Sequence, residues 1–342
     1  MNELRKDPLL NRWVIIATDR AGRPHDWPRG SSGSSKSDPR NCPFCPGNEK
    51  HAPGPILEWK GGSHEMPDSP WSLRVVPNKF PALRVEVELK RKGVGMFDLV
   101  TGVGAHEVVV ETPEHGVGFG ELDLDQAALV FKAYRERIGD LMRDSRLEYV
   151  LAFKNEGFGA GASLSHPHSQ IIGIPVLPLR VEEELAGART YFNTKRRCIF
   201  CDMLDTETMM RDRLVYQNDG FTVFCPYASA SPFETWVLPR THQHDFTTVT
   251  DADLSRLADA VQTVIRRWHK ALGRVDFNFL LHTSPNHALF DRLCPGVQEH
   301  FHWHIEMFPR ITSTAGFEWG TGFFINTTAP EEAARVLRET VA

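Results

Sequence analysis

One order of features occurs twice along the 342-residue chain, and it restricts the fold more than any single motif does. In the first half the pair Cys42 and Cys45 precedes short apolar runs at 73–76, 83–89 and 107–110. His115, an amphipathic stretch over 124–142, a strand-like run at 147–153 and the segment Ser165-His166-Pro167-His168-Ser169-Gln170 follow. In the second half Cys198 and Cys201 precede runs near 214–216, 221–225 and 235–238. His242, an amphipathic stretch over 251–272, a run at 277–281 and His302-Trp303-His304-Ile305-Glu306 follow in the same order. Apolar residues at helical spacing, such as Val130, Phe131, Tyr134 and Ile138 or Leu254, Leu257, Ala258 and Val261, predict one long helix in each half. The offsets between matching features are unequal, so this is not a short tandem array. A fused duplication of one α+β unit explains the order, with halves at 1–180 and 181–342.

Composition decides how to read the cysteines. The N-terminus is charged and lacks the apolar core of a signal peptide, which points to the cytoplasm. No apolar run reaches the roughly 18 residues of a membrane span, and a net charge of −5 argues against a broad nucleic-acid surface. In a reducing compartment, four of six cysteines in CxxC pairs beside 15 histidines indicate metal before disulfide. A redox role is disfavoured because neither pair begins a predicted helix. Residues 28–40, rich in Ser, Gly and Pro, read as a mobile loop.

CxxC spacing lets two thiolates share one tetrahedral ion. Each half then offers a histidine after a strand and a proline, and the first histidine of its HxH segment. Two Cys2His2 zinc sites result, Cys42, Cys45, His115 and His166, and Cys198, Cys201, His242 and His302. Glu184, His282 and His304 are alternative ligands for the second, although Glu184 reads by default as part of a solvated helix face. The other histidine of the first HxH is the candidate nucleophile. Residues i and i+2 of a strand share a face, so His166, His168 and Gln170 project together. A neutral imidazole suits attack on a phosphoanhydride, because it brings no negative charge to an anionic centre. The Gln170 amide can donate to a phosphate oxygen, and the Gly-rich turn Gly157–Ser163 offers backbone N–H groups nearby. In the second copy Glu306 replaces Gln170 and would repel phosphate, so only the first copy is read as catalytic.

The motifs DPLLNRWVIIATDRAGRP, CPFCPGNE, VVPNKFPAL, ETPEH, KNEGFGAGASLSHPHSQIIG, FETWVLPRTH and GFEWGTG together resemble the galactose-1-phosphate uridylyltransferase family of the histidine-triad superfamily, over nearly the whole chain. The resemblance implies two fused histidine-triad-like halves, each an antiparallel sheet flanked by helices, and a homodimer that completes each site across its interface. It implies ping-pong transfer through a nucleotidyl-histidine at His168. Gln170, Asn155, Gly161 and Ser163 would lie at the phosphates, Asn78 and Phe80 at the nucleoside, Arg20 and Arg23 at the nucleotide, and Phe317 and Glu318 at the hexose. Uridylyl transfer between UDP-glucose and galactose 1-phosphate is the leading activity it implies. The HPHSQ and GFEWGTG segments are as similar to the branch containing ADP-glucose phosphorylase, which implies the alternative of adenylyl transfer to phosphate. Ser169, Lys79 and Ala162 depart from the enterobacterial pattern, and Lys79 removes an acidic partner for uracil. A non-catalytic zinc protein that binds nucleotides is the reading from a different class.

Overall fold

The computed structural model describes residues 2–22 and 38–340. Among them the strands are β1 (Glu3–Lys6), β2 (Trp13–Ile16), β3 (Leu57–Lys60), β4 (Trp71–Pro77), β5 (Arg91–Val94), β6 (Phe97–Val100), β7 (Ala105–Val110), β8 (Tyr149–Glu156), β9 (His168–Ile174), β10 (Leu214–Gln217), β11 (Phe221–Phe224), β12 (Thr235–Pro239), β13 (Phe277–His282), β14 (His304–Pro309) and β15 (Phe324–Asn326). The helices are α1 (Leu124–Leu141), α2 (Leu179–Lys195), α3 (Ile199–Met210), α4 (Asp251–Leu272), α5 (Phe290–Leu293), α6 (Val297–His300), α7 (Gly316–Thr321) and α8 (Pro330–Glu339).

The two halves do not keep separate sheets. Ten strands form one sheet in the order β10-β11-β12-β14-β13-β8-β9-β7-β4-β3. Every pair in it is antiparallel, and the halves join edge to edge where β8 pairs with β13, Asn155 opposite Asn278 and Phe153 opposite Leu280. Each half thereby covers an edge that the other would expose.

Helical spacing gives α1 and α4 one apolar stripe each. Asp123 caps α1 by accepting from the Gln126 N–H, and Thr250 caps α4 by accepting from the Asp253 N–H. Both helices pack on the same face of the sheet, where Val75, Val109, Ile171, Ala152, Phe279 and Ile305 complete the main core. The opposite face is treated differently in the two halves. Over the second half α2 and α3 cover it, burying Tyr149, Phe224, Trp236 and Leu238 against Val181, Leu185 and Phe200. Over the outer strands of the first half a small cluster of Trp71, Val76, Val108 and Val110 with Phe44 lies there, and the start of β9 faces a cavity.

Several local expectations are corrected. The run at 83–89 is not a strand. It keeps a single bridge from Arg84 to Val103, because its alternating glutamates leave it exposed. Cys198 does begin a helix, as the N-cap of α3, so the argument against a redox role holds for the first pair alone. Both pairs are free thiols here. Glu184 is fully buried on α2 rather than part of a solvated face. Most of the loop at 28–40 lies outside the described residues. Among the described residues no helix is long and apolar enough to cross a membrane.

Candidate active site

His168 opens β9, and the β7–β9 register sets its neighbours: His168 opposite Val110, Gln170 opposite Val108 and His106 opposite Ile172. These residues share the uncovered face. The His168 Nδ1–H donates to the His166 carbonyl at 2.8 Å. The proton is thereby fixed on Nδ1 and the lone pair on Nε2. Burial pushes the His168 pKa down to about 4, with the Lys154 ammonium acting the same way against the His166 carbonyl. The ring is therefore neutral at neutral pH. Behind the strand Lys154 is buried on a carboxylate of Glu111 at 2.7 Å and donates to the His168 carbonyl at 3.3 Å.

His168 lines a cavity of about 360 Å³ together with Asn155, Ser163, Gly118, Arg274 and Asp276. Asn155 lies opposite Asn278 in the sheet, and its Oδ1 accepts from the Asn278 Nδ2 at 2.7 Å. That contact fixes the amide and turns the Asn155 NH2 toward the turn at Gly161. The turn itself corrects an expectation. Four of its backbone N–H groups are already taken: Gly159 donates to Asp276 Oδ2 at 2.6 Å, Ala160 and Ala162 to the Gly157 carbonyl and Gly161 to the Phe158 carbonyl. What it leaves for an anion in the cavity is the exposed Ser163 and the Asn155 amide. Asp276, Asn278 and Arg274 escaped sequence reasoning because they come from the other half, through β13, with no motif around them.

Asn78, at the end of β4, lies beside His106 and so near Gln170. Phe80 is exposed close by, and the Lys79 ammonium reaches away to the His51 carbonyl at 3.4 Å. Arg20 is exposed on a short 3₁₀ turn, and Arg23 lies outside the described residues. Phe317 and Glu318 lie on α7, where Glu318 caps its own helix by accepting from the Ala315 N–H at 3.0 Å. Neither is among the described residues lining the cavity.

The Cys and His residues converge as two separate four-ligand groups, each with donor atoms within 4.8 Å of one another. In the first, Cys45 Sγ lies 3.3 Å from His115 Nδ1 and 3.5 Å from His166 Nδ1. In the second, Cys201 Sγ lies 3.3 Å from His242 Nδ1 and 3.8 Å from His302 Nδ1. Tetrahedral zinc with ordinary Zn–S and Zn–N bonds places S and N about 3.6 Å apart, so both donor sets fit that ion. The tautomers fit as well. His166 Nε2 donates to the Thr112 carbonyl at 2.8 Å and His242 Nε2 to the Gln298 carbonyl at 2.9 Å, which leaves each Nδ1 lone pair toward the thiols.

Glu184, His282 and His304 do not join the second Cys2His2 group. With Glu306 they form a third, fully buried cluster. It is the second half's counterpart of the His168 face: His304 Nδ1 donates to the His302 carbonyl at 3.0 Å, as His168 does to His166. Here α2 closes the face. His282 Nδ1 donates to Glu184 at 2.8 Å, and the Arg180 guanidinium lies 3.2 Å from Glu184 and 3.4 Å from Glu306. His304 is fully buried, and its Nε2 has no hydrogen-bond partner.

Comparison with known proteins agrees over the whole length. The family pattern described as galactose-1-phosphate uridyl transferase, N-terminal domain, matches residues 1–178, and its C-terminal domain matches residues 184–324. An ADP-glucose phosphorylase of Arabidopsis thaliana is 33% identical over 98% of this chain and 92% of its own. A galactose-1-phosphate uridylyltransferase of Thermotoga maritima is 30% identical over 99% of each. The crystal structure of an ADP-glucose phosphorylase from Arabidopsis thaliana with bound ADP-glucose superimposes with a TM-score of 0.83 at 30% identity, covering all of both chains. With both of its domains matched in order around this His-and-Gln face, the chain belongs to the galactose-1-phosphate uridylyltransferase family, a family of nucleotidyltransferases.

Proposed function

We propose that this protein transfers the nucleotidyl group of a nucleoside diphosphate hexose to a phosphate-bearing acceptor, through a covalent intermediate on His168. The observation that carries the reading is the fixed tautomer of His168, neutral and lining the cavity with Nε2 unprotonated. Nε2 attacks the α-phosphorus, an N–P bond forms, and the bond to the bridging oxygen breaks, releasing hexose 1-phosphate. An oxygen of the acceptor phosphate then attacks the same phosphorus, the N–P bond breaks and neutral His168 returns. Gln170, Asn155 and Ser163 donate to the phosphate oxygens as charge shifts on to them.

Adenylyl transfer from ADP-glucose to phosphate is the favoured form. It is supported by likeness to the plant ADP-glucose phosphorylase over nearly the full chain. It is also supported by Lys79, which offers no acceptor to uracil N3–H and faces away. Uridylyl transfer to galactose 1-phosphate is the second reading, supported by the family's bacterial relatives. Two zinc ions in the Cys2His2 groups would tie the HxH segments to their neighbouring loops, a structural use of the ion. A homodimer is supported by α7, whose exposed Phe317 and Trp319 stand off the cavity of their own chain.

The test is the ratio of rate constants for label transfer on to the protein from ADP-glucose and UDP-glucose, each labelled in the base. The adenylyl reading predicts faster labelling by ADP-glucose. A preference for UDP-glucose above about a thousandfold needs roughly 4 kcal/mol of discrimination and would establish the uridylyl form instead.

A further inference from the structure

Among the described residues, His106 is the one histidine on the open face of the first half that neither the metal groups nor the transfer step uses. It stands on β7, one cross-strand row beyond Gln170 and on the side away from His168. The Ala82 backbone N–H donates to His106 Nδ1 at 3.1 Å. A backbone N–H is always a donor, so Nδ1 must carry the lone pair and Nε2 the proton of the neutral ring. His106 Nε2 lies 2.7 Å from Gln170 Oε1 and donates to it. Asn78 Nδ2 also lies 3.0 Å from that nitrogen, but a protonated Nε2 has nothing with which to accept from it. The Asn78 Oδ1 is held by the Phe80 N–H at 2.9 Å, so the Asn78 amide has no freedom to flip without losing that bond.

We propose that His106 is a positioning residue: through a fixed relay, Ala82 N–H to His106 to Gln170, it turns the Gln170 NH2 toward the phosphate that His168 attacks. The inference rests on the nucleotidyl-transfer reading given above. An amide has two ends of similar shape, and only one can stabilise developing negative charge. Were Gln170 reversed, its carbonyl would face the phosphate, repelling it much as Glu306 would in the second half. The strong donor from His106 removes that choice before the substrate arrives. The same relay leaves the Asn78 NH2 available to an acceptor on the nucleoside.

The test is a double-mutant cycle on the single-turnover rate constant for labelling of the protein by whichever sugar nucleotide labels the wild type. His106→Ala is expected to slow labelling about ten- to a hundredfold, the usual cost of losing an orienting partner, with the dissociation constant of the sugar nucleotide changed by less than about threefold. Gln170→Ala is expected to be at least as slow. The double variant should be no slower than Gln170→Ala, within about threefold, because His106 acts only through that amide. Multiplying effects would overturn the relay. Should His106→Ala fail to fold, two milder changes decide. His106→Gln can keep a donor near Nε2 and is expected to retain more activity than His106→Asn, which keeps only the acceptor near Nδ1. Equal losses in the two, tracking their melting temperatures, would show a merely structural role. A wild-type protein that takes no label at all removes the transfer reading and the relay with it. A labelled wild type with independent effects removes the relay alone.

Discussion

An imidazole attacks phosphorus only while its lone pair is free, and two contacts decide this for His168. The His166 carbonyl holds the proton on Nδ1, and burial keeps the ring from taking a second proton until about pH 4. Above that value Nε2 is unprotonated, and the proposed nucleophile is lost only as the pH falls through it. The initial labelling rate at pH 5.5 should therefore lie within about twofold of that at pH 7.5 while metal content is unchanged. An ordinary histidine near pH 6.5 would be down about tenfold, and such a fall would contradict the assignment. The residues of the HPHSQ segment were legible in the sequence because strand period and chemistry coincide there. His106 was not. A lone histidine in an apolar strand has no motif, and its role depends on a register and on Ala82, 24 residues away.

At the scale of elements, the turn between β8 and β9 is where conformation is most tightly set. Gly157 has φ +88° and a Cβ there would meet Asp276 Oδ1 at 1.9 Å. Asp276 is in turn the acceptor for the Gly159 N–H. Gly157→Ala combines a left-handed backbone with a steric clash, and should cost about 2–4 kcal/mol in urea unfolding together with a large loss of labelling. A variant with wild-type stability and rate would show that the turn does not position Asn155 and Ser163. The sequence identified this turn as Gly-rich and phosphate-facing. It did not reveal that the Gly159 N–H is taken by Asp276, because that acceptor lies more than a hundred residues away, just before β13. The long helices α1 and α4 were legible from their stripes and caps. The burial of α2 was not, since Glu184 is buried on it and paired with Arg180, while its sequence pattern resembles a solvated helix face.

Across the whole molecule, the two halves differ in how their HxH faces are covered. Each half carries a Cys2His2 group and an HxH strand, but α2 closes the second copy over Glu184, His304 and Glu306, while the first opens to a cavity. The duplication was legible from the order of motifs. The fusion of both sheets into one through β8 and β13 was not, because edge pairing leaves no mark in either half alone. The account expects about two zinc ions per chain by elemental analysis. Cys42→Ser and Cys198→Ser should each remove one and lower the melting temperature, since binding to a closed site is also folding energy. One ion in the wild type would show that only one group is a metal centre. Three would assign an ion to the Glu184 cluster, against the Arg180 guanidinium that already pairs with both carboxylates. The most direct test of the central claim is mass spectrometry of the protein after brief exposure to ADP-glucose and UDP-glucose. A nucleoside monophosphate adduct, labile to acid, is predicted on His168 in the wild type and absent in a folded, metal-replete His168→Ala variant. An adduct on another residue, or undiminished turnover in His168→Ala, would contradict the account.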